Sequence, residues 1–195
     1  EWQAPVVSRK NQGCSVCAGK KVVPSNCLTI ISPNIAQEWH PTKNGTLMPY
    51  NITAGSRKMA WWKCQQGEDH EWRATVIDRS KYGCSICTGR TVVSSNCLAT
   101  VNSNLAQEWH PTKNGVLTPR DVTAGSHKKI WWQCAKGDDH AWQAGVNERK
   151  TQGCSVCASK TVVKSNCLAT VNPKLALEWH STKNAELTPY NITAG

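Results

Sequence analysis

The chain has no phenylalanine, two methionines and three tyrosines among its 195 residues. So short a supply of bulky apolar side chains argues against one large shared core. Long apolar runs are missing too. No segment is suited to spanning a bilayer, so a membrane is not an expected partner. No signal peptide is visible. The cysteine count is eleven, and an odd number counts against a secreted disulfide framework. Against these shortages stand ten tryptophans and a formal net charge of +10. The charge favours polyanionic partners.

The cysteines are ordered in a repeat. Cys64, His70, Cys84 and Cys87 follow the spacing C-x5-H-x13-C-x2-C, and Cys134, His140, Cys154 and Cys157 repeat it 70 residues later. The same step relates Trp2, Trp72 and Trp142; Trp39, Trp109 and Trp179; and Cys27, Cys97 and Cys167. A fixed step of this kind marks a tandem array. Four soft ligands in two close pairs suit tetrahedral Zn2+, and a set of four protein ligands leaves no open position for chemistry. The expectation is structural zinc, in modules too small to close a core without it. Paired thiolates of this type belong to an intracellular, reducing compartment.

Along one repeat, Ser32-Pro33 reads as a helix start, followed by a short helix over Ile35–Trp39 that Pro41 ends. Thr42 to Gly45 is a turn, Leu47 to Thr53 is extended with an interruption at Pro49, and Lys58 to Cys64 is a strand carrying Trp61-Trp62. The knuckle from Cys64 to His70 bends at Gly67. A second strand alternates Trp72, Ala74 and Val76 with Arg73, Thr75 and Ile77. Tyr82-Gly83 turns into Cys84-Ser85-Ile86-Cys87. The expected fold is therefore a tandem of small zinc-stabilised α+β modules, each a β-hairpin plus a short helix.

The boundaries follow. Residues 1–33 hold a partial module and linker, with Cys14 and Cys17 as half of a zinc site. Residues 34–90 and 104–160 are complete modules, residues 91–103 are a linker, and residues 161–195 are a linker and a second partial module. The repeat is cut at both ends, so an excerpt from a longer array is expected.

The run Leu105-Ala106-Gln107-Glu108-Trp109-His110-Pro111, with Lys113-Asn114, Gly125-Ser126, Trp131-Trp132-Gln133-Cys134, His140-Ala141-Trp142, Arg149 and Cys154-Ser155-Val156-Cys157, resembles the zinc-ribbon (treble-clef-like) repeat family. The resemblance covers nearly the whole chain. It implies that the two tetrads are zinc ligands and that the modules are DNA-associated. Cys27, Cys97 and Cys167 depart from the small serine-like residue expected there.

Several positions carry two readings. Cys27, Cys97 and Cys167 read as small buried residues before extra ligands. His40, His110 and His180 read as partners of a helix C-terminus. Adjacent residues on a strand face opposite ways, so one of Trp61 and Trp62 points inward and the other packs elsewhere or meets a partner. The acidic pairs Glu68-Asp69 and Asp138-Asp139 read as solvated loop residues. Arg9, Arg79 and Arg149 share one position and lead a polar tip containing Lys10, Lys81 and Lys150. They are either phosphate or base contacts, or guanidiniums that pair with acids and cover tryptophans. Arg57, Lys58, Lys128 and Lys129 add positive charge.

The expected function is nucleic-acid binding, with duplex DNA first. Basic residues would meet phosphates, and repeat-variable positions such as Tyr50, Arg120 and Tyr190 would serve readout. The alternatives are a zinc-stabilised protein-interaction scaffold and RNA binding within a ribonucleoprotein. No nucleophile–base pair recurs, so catalysis is not expected.

Overall fold

The computed structural model describes Pro5 and residues 13–194. The chain divides into two compact units, Glu1–Val93 and Ser94–Gly195. In the first, short helices α1 (Leu28–Ile31) and α2 (Pro33–Ala36) precede strands β1 (Met59–Lys63) and β2 (Glu71–Thr75), and helix α3 (Val76–Tyr82) follows. The second unit repeats the plan with α4 (Leu98–Val101), α5 (Ser103–Gln107), β3 (Lys129–Gln133), β4 (Ala141–Gly145) and α6 (Val146–Arg149). It then continues into α7 (Leu168–Val171) and α8 (Pro173–Leu177).

Each hairpin is antiparallel, with Trp62 opposite Trp72 and Trp132 opposite Trp142. Strand alternation sends these four indoles to the buried face. Trp62 and Trp132 are fully buried. Trp39 packs edge-on to Trp62 at 5.1 Å between centroids and 82° between planes, and Trp109 meets Trp132 at 5.7 Å and 80°. A T-shaped pair sets the positive edge of one ring on the negative face of the other. Each indole N–H in these pairs also finds a carbonyl: Trp39 donates to Leu47 O, Trp62 to Ala74 O, Trp109 to Leu117 O and Trp132 to Ala144 O, all at 3.1 Å.

The segment after α2 lies along β1. The His40 amide donates to Trp61 O at 3.1 Å, and the Lys63 amide donates to Glu38 O at 2.7 Å. The Asn44 side chain completes the line, accepting from the Trp61 amide at 2.7 Å and donating to Trp61 O at 2.9 Å. Asn114 does the same for Trp131. The following Gly45 and Gly115 take φ of +57° and +60°, a region open to glycine at no steric cost.

The interruption expected at Pro49 takes the form of a 3-10 turn over Pro49–Asn51, closed where the Met48 amide meets Asn51 Oδ1 at 2.9 Å. Two stretches differ from the sequence reading. The second strand ends at Thr75 instead of running through Ile77. The Thr75 hydroxyl accepts from the Asp78 amide at 3.1 Å and donates to the Asp78 carboxylate at 2.6 Å, which starts α3. The stretch 91–103, expected as a linker, contributes α4, whose Leu98 is fully buried in the core of the second unit beside Trp132 and Trp142.

Trp62→Ala removes the largest side chain at the centre of the first core. The expected loss is about 3–5 kcal/mol, comparable to the whole stability of a core this small. In a denaturant titration of the zinc-loaded chain, the first module is expected to unfold early while the second keeps its wild-type midpoint.

Candidate metal centre

β1 delivers Cys64 at its end, and the turn to β2 delivers His70. The loop after α3 delivers Cys84 and Cys87. The potential ligand atoms of the four residues lie within 4.8 Å of one another, as do those of Cys134, His140, Cys154 and Cys157. Cys64 Sγ is 3.7 Å from Cys87 Sγ, and His70 Nδ1 lies 3.9 and 3.3 Å from the Cys84 and Cys87 sulphurs. The second set has matching separations of 3.8, 3.9 and 3.4 Å. A tetrahedral zinc requires about 3.8 Å between sulphurs and about 3.6 Å between sulphur and nitrogen. The geometry fits that ion, and 3.7 Å is far too long for a disulfide.

The chemistry of the donors fits as well. Cys87 is an exposed residue, but its Sγ faces the cluster. Desolvation, and then the adjoining Cys84 and Cys64, push its thiol up to about 12. The same causes, with Cys154 and Cys134 as neighbours, push Cys157 up to about 11. Sulphurs this crowded resist becoming anions on their own account, whereas a divalent cation among them reverses that balance. In each set three thiolates and Nδ1 of the histidine would hold Zn2+, which would supply cross-linking of the hairpin end to the knuckle.

Gly67 and Gly137 are required for a reason the sequence reading did not supply. A Cβ at Gly67 would come within 2.6 Å of His70 Cδ2, and one at Gly137 within 2.7 Å of His140 Cδ2. Each imidazole folds flat over its own turn, and only glycine leaves room. Beyond the His140 ring, Nε2 is 3.2 Å from Ser165 Oγ. Ser165 in turn donates its hydroxyl and its amide to the Asp139 carboxylate, both at 2.8 Å. The Ser165 amide and hydroxyl hold the Asp139 carboxyl below its ordinary value. Asp139, although its side chain is 36 % exposed, is therefore a fixed acceptor in addition to being the solvated loop acid the sequence suggested. Asp-His and Ser-Asn-Cys each recur at the 70-residue step, but nothing in that spacing pairs one with the other.

The remaining candidates sort as follows. Cys14 and Cys17 lie on a turn with the same backbone bonding as the other knuckles, Ala18 N to Cys14 O at 2.9 Å matching Thr88 N to Cys84 O at 3.1 Å. They belong to neither cluster found among the described residues. Cys27, Cys97 and Cys167 are buried, and each Sγ meets a backbone carbonyl, Pro24 O, Ser94 O and Lys164 O respectively. His40, His110 and His180 organise the turn after the tryptophan instead of serving a helix dipole: each Nδ1 accepts from the amides two and three residues ahead.

Arg79 and Arg149 have inward partners. Arg79 Nε donates to Glu38 at 2.8 Å and the guanidinium lies over Trp72, while Arg149 pairs with Glu108 over Trp142. Their side chains are 11 % and 14 % exposed. Of the two readings open for these arginines, the contacts match guanidiniums that pair with acids and cover tryptophans, and not phosphate contacts. Lys81, Lys150, Arg57, Lys58, Lys128 and Lys129 are exposed. Arg9 and Lys10 lie outside the described residues. Trp61 and Trp131 are half-buried, with Lys43 and Lys113 over their rings at 5.0 and 4.5 Å.

Two hairpin modules with short helices, each closed on a Cys3His cluster, define a tandem of structural zinc fingers of the treble-clef class. The chain belongs to the family described as the probable treble clef zinc finger domain, whose profile matches it twice, over residues 35–90 and 105–160. None of the curated proteins matches the chain. No helix among the described residues is long and apolar enough to cross a membrane.

Two measurements test the centre. Native mass spectrometry is expected to show one zinc per complete module. Gly67→Ala is expected to weaken the first site by about ten-fold or more, the scale seen when a ligand's orientation is disturbed, with the second site unchanged. A third concerns His110, whose protonation is disfavoured first by burial and then by Lys113, below its ordinary value of 6.5. A histidine kept neutral in the fold contributes full stability above about pH 6.5 and loses it as the pH falls toward the folded value. An NMR titration of the zinc-loaded chain is expected to place His110 below a free histidine, with Nδ1 unprotonated.

Proposed function

We propose that the chain is a zinc-stabilised tandem array that binds nucleic acid, duplex DNA before other polyanions, in an intracellular reducing compartment. The observation that carries this reading is the net charge of +10, with exposed cations recurring at matched positions of the two modules. Glu38, Glu71 and Glu108 face cations of their own modules. Glu71 is held down to about 2 by Lys43 and then Lys63. Asp78, Asp121, Asp139 and Glu148 accept hydrogen bonds from nearby hydroxyls and amides. Arg57, Lys58 and Lys81, and Lys128, Lys129 and Lys150, are exposed. Glu68, Asp78, Asp121, Asp138, Glu148, Glu178 and Glu186 are exposed as well, so the surface carries both signs with cations in excess, at a net charge of +10.

Duplex is favoured over single strands because Trp61 and Trp131 already carry lysine over their rings. Stacking on unpaired bases requires open aromatic faces. The same covering weighs against these indoles as anchors for a protein partner. Repeat-variable residues at exposed turn tips support readout of sequence or shape, with Tyr50 67 % and Tyr190 76 % exposed and Arg120 at the matching position. No catalytic role is proposed for the chain.

The test is a titration against labelled duplex DNA across about 50 to 200 mM salt, with single-stranded RNA as competitor. Affinity is expected to fall steeply with salt. The variant Arg57→Ala, Lys58→Ala, Lys128→Ala, Lys129→Ala is expected to reduce the logarithmic salt slope by about 3–4 and to weaken binding evenly across sequences. No binding to any nucleic acid at low salt would sink the proposal and direct attention to a protein partner.

A further inference from the structure

We infer that Ser165 is an outer-shell positioning residue of the second metal centre, and that the centre doubles as the joint to the repeat that follows. Ser165 belongs to that following repeat by sequence, within the tripeptide Ser165-Asn166-Cys167. Ser25-Asn26-Cys27 and Ser95-Asn96-Cys97 occupy the same place in the earlier copies.

The three residues face three ways. Ser165 meets the histidine half of the site, with Oγ at 3.2 Å from His140 Nε2 and 2.8 Å from Asp139 Oδ1. With Nδ1 committed to the metal, the neutral imidazole carries its proton on Nε2. That proton is donated to Ser165 Oγ, whose own hydroxyl proton goes to Asp139. The chain of donors runs in one direction and leaves no polar atom in conflict. Asn166 meets the knuckle half, donating to Val156 O at 3.1 Å and to Thr161 O at 3.0 Å. In the first unit, Asn26 makes the equivalent bonds to Val16 O and Lys21 O, beside Cys14 and Cys17. Cys167 then turns away from the metal and pairs with Thr193, while the Leu168 amide donates to Ile192 O at 2.9 Å.

One short peptide thus touches the imidazole ligand, the two-cysteine turn and the body of the next repeat. A ligand set that needs its histidine ring held in one plane gains affinity from that peptide. By linkage the peptide gains order from the metal in equal measure. This inference does not depend on the partner of the array.

The test uses the whole chain and competition with a chromophoric zinc chelator. Ser165→Ala is expected to weaken one of the two zinc equivalents by about 10–100-fold, leaving the other as an internal control, and Ser165→Thr to restore it. The His140 Nε2 proton, held by Ser165 Oγ at 3.2 Å, is expected to be visible in the spectrum of the parent and to vanish from that of Ser165→Ala. In the reverse direction, Cys134→Ser is expected to speed amide exchange at Ser165, Leu168 and Asn172 by ten-fold or more while Leu28 keeps its rate. Unchanged zinc affinity in Ser165→Ala, or unchanged exchange at Leu168 and Asn172 in Cys134→Ser, would overturn the inference. Failure to bind DNA would leave both readouts untouched.

Discussion

Everything in a module hangs from the crowding of three sulphurs and one imidazole nitrogen within 4.8 Å. Such a cluster is unfavourable as a set of bare anions and unfavourable as a set of buried thiols. A divalent ion resolves both at once. The hairpin strands are five residues each, too short to persist alone in water. Zinc ties the turn that joins them to the two-cysteine turn, and the T-shaped tryptophan pair seals the buried face. Remove either and the remaining apolar surface falls below what ordering the backbone demands.

The same economy governs charge. Each module places a glutamate on the segment beside its first strand and an arginine after its second, 41 residues apart, and brings them together over an indole. The ion pair and the cation–π contact share one guanidinium, so a single long side chain closes the open side of the buried tryptophan. The exterior keeps acids such as Glu68, Asp138 and Glu178 beside its more numerous lysines and arginines. The excess is positive, +10 over the chain.

Much of this was legible in the sequence, for physical reasons. Zinc ligands have fixed spacing because the ion's geometry is fixed, so the tetrads could be read directly. Strand alternation around Trp62 and Trp72 gave the hairpin. The start of α3 was missed because Val76 and Ile77 continue an apolar alternation, while the competing signal, the cap from Thr75 to Asp78, is a single local bond. The role of Arg79 stayed open because its partner, Glu38, is distant in the chain. The stretch 91–103 looked like a linker because its apolar residues follow no clear period among serines, threonines and asparagines, yet Leu98 and Cys97 are buried in the fold. Asp139 and Ser165 were invisible as a pair because nothing in spacing says that an acid in one repeat faces a hydroxyl in the next.

The bonds made by Asn44 and Asn114 have a consequence for an array of near-identical units. Neighbouring copies with similar strands are prone to exchange them during folding, since each strand finds an equally good partner next door. The outer side of β1 offers no such opening. The main chain at Glu38 and His40 occupies part of it, and the Asn44 amide saturates both polar groups of Trp61. An asparagine side chain imitates a strand without being able to propagate one. Repetition in this chain therefore carries its own guard against mispairing, placed on the edge where a misplaced neighbour would otherwise dock.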